Sequence, residues 1–253
     1  MSTTRRRFLA MSATATGALS MGITPRAEDA QPLRILILGG TGFIGPHMVE
    51  WALARGHQIT LFNRGRTNTN LFPKVEKLVG DRDGALDALE TGRWDAVIDN
   101  SGYVPRHVRD SAELLQDRAE QYLFISSISA YADFAQPGLD ETYRLGTLAD
   151  PGVEEVNAET YGPLKVLCER ALAAAFGDNA TIVRPGYIVG PGDSTDRWTY
   201  WPVRLAAGGH MLVPGTPADR VQLIDARDLA RFVMAFSKPE PTGLSMRWAQ
   251  PLP

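Results

Sequence analysis

Tyr161 and Lys165 stand four residues apart. On a helix, positions four apart share a face, so a phenol and an ammonium can point into one cleft. A free phenol, with a pKa of about 10, is a poor base at neutral pH. A neighbouring ammonium favours the phenolate and brings proton transfer within reach. Pro163 lies between them and is tolerated only in a first helical turn, which puts Tyr161 near a helix start. Leu164, Leu167 and Leu172 carry the apolar periodicity onward.

A second device lies upstream. Ile35-Leu36-Ile37-Leu38 reads as a buried parallel strand. Gly39, Gly40, Thr41, Gly42, Phe43, Ile44 and Gly45 follow, and then a helical pattern through Trp51 and Ala54. Strand, glycine turn and helix together suit a pyrophosphate. Missing side chains let the backbone approach, and the helix N-terminus offers free N–H groups and a positive dipole end.

The elements that must position these residues alternate strand and helix. The second strand is His57–Phe62, after a helix ended by Gly56. The third is Val75–Val79. The fourth is Asp95–Asn100, followed by a helix from about Pro105 to Gln116. Tyr122–Ser126 is the fifth, and Ala180–Arg184, reached through the Tyr161 helix, is the sixth. Such alternation predicts a doubly wound parallel sheet with right-handed crossovers. Ligands then sit outside the carboxyl ends of the strands. Asn63, Arg64, Asp81, Arg82, Asn100, Ser101, Gly102 and Ser126 all fall at such ends.

The glycine spacing G-x-x-G-x-x-G and the form GGTGFIG resemble the extended, epimerase/dehydratase branch of the short-chain dehydrogenase/reductase superfamily. Arg184-Pro185-Gly186-Tyr187-Ile188-Val189-Gly190-Pro191-Gly192 resembles a family segment beside the nicotinamide. Leu223–Ala230 resembles a later one. The resemblance covers about Pro32 to Trp248 and implies a Rossmann core with a nicotinamide dinucleotide. It adds Pro185 and Ile188 to the expected cofactor contacts. It also makes Ser127, on the strand-end SS-x-x-x-Y pattern, the third catalytic member beside Tyr161 and Lys165. Lys165 is expected to touch the cofactor as well. The implied activity is hydride transfer at a hydroxyl or carbonyl of a sugar or sugar derivative, as an epimerase or dehydratase. The alternatives are a plain NADPH-dependent reductase and a non-catalytic, RNA-binding or regulatory member. Family members acting on UDP-glucose commonly carry an asparagine where Pro185 and Gly186 stand.

Enzymes preferring NAD place an acid at the end of the second strand, to accept hydrogen bonds from the ribose 2′-OH. Here Leu61-Phe62-Asn63-Arg64-Gly65-Arg66 has none. Arg64 can pair a 2′-phosphate through its guanidinium fork. NADP is therefore expected over NAD, with NAD as the alternative. Asp81 is placed to contact the adenine amine.

The chain has 253 residues, 44% hydrophobic and 22% charged, enough for one large α/β domain. Its formal charge of −3 argues against a general nucleic-acid binder. The single cysteine, Cys168, excludes an internal disulfide framework and reads as a small buried hydrophobe. The histidines (His47, His57, His107, His210) lack ligand spacing, so no metal is expected. Trp198, Tyr200 and Trp201 are candidates for lining a substrate pocket or packing a lobe.

At the N-terminus, Thr4-Arg5-Arg6-Arg7-Phe8-Leu9 resembles a twin-arginine export signal. The Ala/Thr/Ser/Gly-rich stretch from Ala10 to Ile23 is too short and weakly apolar for a span of about twenty residues. The expected organisation is an export signal or disordered extension over 1–30, a dinucleotide-binding core over 31–185, and a partial substrate lobe over 186–253 interleaved with the last core elements. The expected location is periplasmic through the twin-arginine route, with cytoplasmic the alternative. The expected partner is a carbohydrate-like small molecule, and a homodimer is left open.

Overall fold

A computed structural model describes residues 31–216, 218–219 and 221–236. The export-signal reading of residues 1–30 lies outside the described residues. The chain divides into a unit of residues 1–32 and a unit of residues 33–253, and the described elements belong to the second.

The elements are β1 (Arg34–Leu38), α1 (Gly45–Leu53), β2 (Gln58–Asn63), β3 (Glu76–Val79) and β4 (Trp94–Asp99). Then come α2 (Pro105–Leu115), β5 (Ala119–Ile125), a short 3₁₀ turn (Ile128–Ala130), α3 (Tyr161–Phe176) and β6 (Ala180–Val183). The chain continues through β7 (Tyr187–Val189), α4 (Tyr200–Ala206), β8 (Leu223–Asp225) and α5 (Ala226–Phe236). Strands β1 to β6 form one sheet in the order β3-β2-β1-β4-β5-β6, and every pairing is parallel. This is the doubly wound architecture expected from the alternation, with a topological switch between β1 and β4.

The period of the central strand builds two cores. Successive side chains point to opposite faces. Ile35 and Ile37 pack with Met48, Val49 and Ala52 of α1 and with Leu229, Val233 and Met234 of α5. Leu36 and Leu38 face the other way, onto Val108, Ala112 and Leu115 of α2 and Cys168, Leu172 and Phe176 of α3. Because both faces are covered, β1 reads as an unbroken apolar run.

β7 and β8 form a separate two-stranded parallel pair, with Tyr187 opposite Leu223 and Val189 opposite Asp225. Between them run α4 and its loops, where Trp198, Tyr200, Val203 and Leu205 are exposed. Among the described residues, no helix is long and apolar enough to cross a membrane.

Candidate functional site

A cleft of about 840 Å³ opens over the carboxyl ends of β1 to β6. Gly39, Thr41, Gly42, Phe43, Ile44 and Gly45 line one end of it. Asn63, Arg64, Asp81, Arg82, Asn100 and Ser101 line its length. Ser126, Ser127, Tyr161, Lys165, Pro185 and Ile188 line the other side. Gly40 and Gly102 do not line it. Gly40 is buried beneath the turn, against Gly45 and Leu61, and Gly102 is buried against Val108 and Phe124.

The glycine turn is close-packed. A Cβ on Gly45 would stand 2.6 Å from the Gly40 carbonyl carbon, so α1 starts tight against the strand end only because that atom is missing.

Tyr161 is set by the start of α3. The Tyr161 amide donates to the Asn157 carbonyl at 3.0 Å, and the Leu164 amide donates to the Thr160 carbonyl at 2.8 Å. Gly162 follows, and any Cβ there would collide with the Ser129 carbonyl. The helix therefore seats its first turn directly on the Ile128–Ala130 turn, which Ser127 caps by accepting from the Ser129 amide at 3.1 Å. Burial raises the Tyr161 phenol above its ordinary value, and the Ser127 hydroxyl and the Arg197 charge work the other way.

Lys165 is buried. Its Nζ donates to the Gly102 carbonyl at 2.7 Å and to the Ile125 carbonyl at 3.0 Å. The rings of Phe124, Tyr103 and Tyr161 lie with centroids 4.6, 5.0 and 5.9 Å from it. Burial lowers the ammonium below its ordinary value, while the two carbonyls and the ring faces hold the cation in place. The expected depression of the Tyr161 phenol is thus not met: burial raises it instead.

Several predicted polar residues are already engaged. Arg82 grips buried Asp99 through both terminal nitrogens, at 2.8 and 2.9 Å, and also donates to the His107 carbonyl and the Ser111 hydroxyl. Burial alone would push Asp99 up, but the Arg82 charge holds its carboxyl below the ordinary range. The Asn100 amide nitrogen, oriented toward its acceptors, donates to the Leu38 and Gly39 carbonyls at 2.8 and 2.9 Å. Ser126 donates its hydroxyl to Glu169 at 2.5 Å. Arg64 is exposed, at the β2 end of the cleft.

Sequence reasoning missed Glu169. It is buried on α3 and binds Ser126 and Arg184 together. Its signal was available, since Tyr161, Lys165 and Glu169 repeat at one four-residue spacing. Tyr103, Phe134, Ser129 and Arg197 also line the cleft and were not singled out. Trp198, Tyr200 and Trp201 do not line it. Tyr200 and Trp201 pack edge to face at 5.2 Å. Cys168 is fully buried, and burial pushes its thiol up to about 12. Among the described residues no group of three or more His, Cys, Asp or Glu is placed to hold a metal ion.

Strand order, glycine turn and cleft position define a dinucleotide-binding doubly wound protein. The chain belongs to the NAD-dependent epimerase/dehydratase family, whose model matches residues 35–243. It is 30% identical over 216 residues to the chloroplast stem-loop binding protein of 41 kDa b of Arabidopsis thaliana, covering 78% of this chain and 53% of that protein. It is 27% identical over 169 residues to the UDP-glucose 4-epimerase of Neisseria meningitidis serogroup C, covering 55% of this chain and 47% of that enzyme. The chain thus spans about half the length of these relatives. Among solved structures, the UDP-N-acetylglucosamine 4-epimerase from Bacillus cereus superposes with a TM-score of 0.64 at 19% identity, covering 82% of this chain and 72% of that one. The Bordetella bronchiseptica enzyme WbmH in complex with NAD+ gives 0.63 at 19% identity, covering 82% and 73%.

Proposed function

We propose that this chain is an enzyme of the epimerase/dehydratase kind, acting with a nicotinamide dinucleotide on a hydroxyl or carbonyl of a sugar or sugar derivative. One observation carries the reading. Tyr161, Lys165 and Ser127 converge on the same cleft whose far end is the glycine turn. That cleft suits a dinucleotide: Gly42 is exposed at the turn, and a Cβ there would meet no protein atom within 4 Å. The bound dinucleotide would supply hydride transfer. Tyr161 would move the proton at the substrate oxygen, Ser127 would donate a hydrogen bond to that oxygen, and Lys165 would favour the phenolate. UDP-sugar epimerases among the relatives support a sugar substrate, and a plain NADPH-dependent reductase is the alternative reaction.

Replacing Tyr161 by Phe removes the proton carrier and keeps the ring. The single-turnover rate of the nicotinamide absorbance change, on mixing with UDP-glucose and UDP-N-acetylglucosamine, should fall by about 10²- to 10⁴-fold. Retained dinucleotide should be unchanged. Equal turnover in the variant rejects the role.

The Arabidopsis relative is named a stem-loop binding protein, which favours a non-catalytic RNA-binding alternative. The charge of −3 counts against it. Salt-sensitive binding of a stem-loop RNA, with no turnover, would replace the enzyme reading.

We also propose export. The Thr4–Leu9 pattern supports passage in folded form, and a compartment without free dinucleotide demands that it stay bound. A redox-neutral net reaction, epimerisation or internal dehydration, fits that setting better than reduction. Fractionation of the parent and an Arg5→Lys, Arg6→Lys variant tests it; finding both wholly in the cytoplasm rejects it.

A further inference from the structure

The cationic side chains of the cleft are unequal. Arg64, Arg66, Arg82, Lys165 and Arg197 line it. Arg82 is spent on Asp99, and Lys165 on two carbonyls. Arg64 and Arg66 stand at the β2 end. Of the three not so engaged, only Arg197 comes from the other side, on the loop between β7 and α4, beside Tyr187.

Arg197 is held at its stem and open at its tip. Its Nε donates to the Thr195 hydroxyl at 2.7 Å, and its guanidinium carbon lies 5.7 Å from the Tyr187 ring centroid. Among the described residues its ion-pair partner is Asp193, 3.9 Å from a terminal nitrogen and beyond hydrogen-bond length. Asp193 is itself taken by the Thr195 amide and hydroxyl, at 3.0 and 2.5 Å. Among the described residues, the carboxylates lining the cleft are Asp81 and Asp83, both past the end of β3. The terminal nitrogens of Arg197 therefore meet no acid from the cleft wall on the Tyr161 side. Its charge nonetheless reaches the Tyr161 phenol.

We infer that Arg197 is a specificity-determining cation, and that the substrate carries an anionic group, a carboxylate or a phosphate, near the hydroxyl presented to Tyr161. This rests on the function proposed above. A planar guanidinium whose two terminal nitrogens make no hydrogen bond among the described residues matches either anion in a two-point grip. A neutral alcohol in the same space gains no charge-assisted contact with this exposed cation, so the site favours the anion.

The test uses the full chain with its dinucleotide bound. Glucose, glucuronate and glucose 6-phosphate are titrated by calorimetry into the parent, Arg197→Met and Arg197→Lys. In the parent, at least one anionic sugar should bind on the order of tenfold or more tightly than glucose. Which one it is separates the carboxylate from the phosphate. Arg197→Met should erase the preference and leave glucose binding and dinucleotide content unchanged. Arg197→Lys should keep part of it. Glucose binding as tightly as both anions in the parent overturns the inference. So does a preference that survives Arg197→Met. Dinucleotide released from the same samples separates the two levels. Bound dinucleotide without anion preference sinks this inference alone, while no bound dinucleotide sinks the proposed function.

Discussion

Glu169 receives Arg184 on both of its oxygens, Nε at 2.9 Å and Nη2 at 2.7 Å. The pair ties α3 to the end of β6, and the Ser126 hydroxyl joins it from the end of β5. Three elements that carry or flank Ser127 and Tyr161 are thereby locked in one arrangement. Arg184 also lies against Tyr131, with 5.0 Å from its guanidinium carbon to the ring centroid.

Removing the carboxylate leaves a largely buried guanidinium without its partner. Glu169→Ala should therefore destabilise the protein by about 3 kcal/mol, measured by urea denaturation. A double change to apolar residues at Glu169 and Arg184 should recover much of that loss. A neutral Glu169→Ala would show that water replaces the pair.

Gly42 and Gly45 should separate fold from ligand. Gly42→Ala adds a Cβ that meets no protein atom within 4 Å, so the melting temperature should hold while dinucleotide binding weakens. Gly45→Ala drives a Cβ to 2.6 Å from the Gly40 carbonyl carbon, so stability and binding should fall together. Thermal melts beside dinucleotide titrations read both. Unchanged binding in Gly42→Ala would move the pyrophosphate away from this turn.

Asp99 should make stability acid-sensitive. Its carboxyl is held below the unfolded value of 3.8 by Arg82. A depressed acid contributes stability that is present above the unfolded value and lost as pH falls through the folded one. Asp99→Asn should lower stability at neutral pH and flatten its decline below about pH 4. Denaturation midpoints across that range decide it, and an equally steep decline in the variant assigns the acid sensitivity to other carboxylates.

Arg64 bears on the choice of dinucleotide. The β2 end offers Asn63, Arg64 and Arg66 and no acid, which suits a 2′-phosphate. Equilibrium titration should show tighter binding of NADP than NAD, with the ratio reduced on the order of tenfold in Arg64→Ala. Tighter binding of NAD by the parent rejects the assignment.

The large sheet is legible in the sequence because its strands are buried on both faces. Runs such as Ile35–Leu38 and Asp95–Asn100 then stand out between glycine and proline punctuation. Boundaries are less legible: β5 begins at Ala119, before the apolar part of the strand, because Ala119 and Gln121 pair with Trp94 and Ala96 through backbone alone. β7 and β8 have three residues each, too few for any period to show. The site divides the same way. Tyr161, Lys165 and the glycine turn carry spacing signals fixed by local geometry. Asp99 and Glu169 gain their roles from partners far along the chain, Arg82 and Arg184, which no local pattern pairs. Arg197 sits in a loop with no periodicity at all.

The parallel pairing of β7 with β8 has an evolutionary consequence. The segment that includes Arg197 and α4 departs from Val189 and returns at Leu223, and these are neighbouring strands. It is an excursion whose two ends are held together by one strand pairing. Lengthening or rebuilding such an excursion costs little closure entropy and leaves the six-stranded platform untouched. A lineage built on this scaffold can thus change the molecules it accepts by swapping one contiguous cassette, inheriting the rest unaltered.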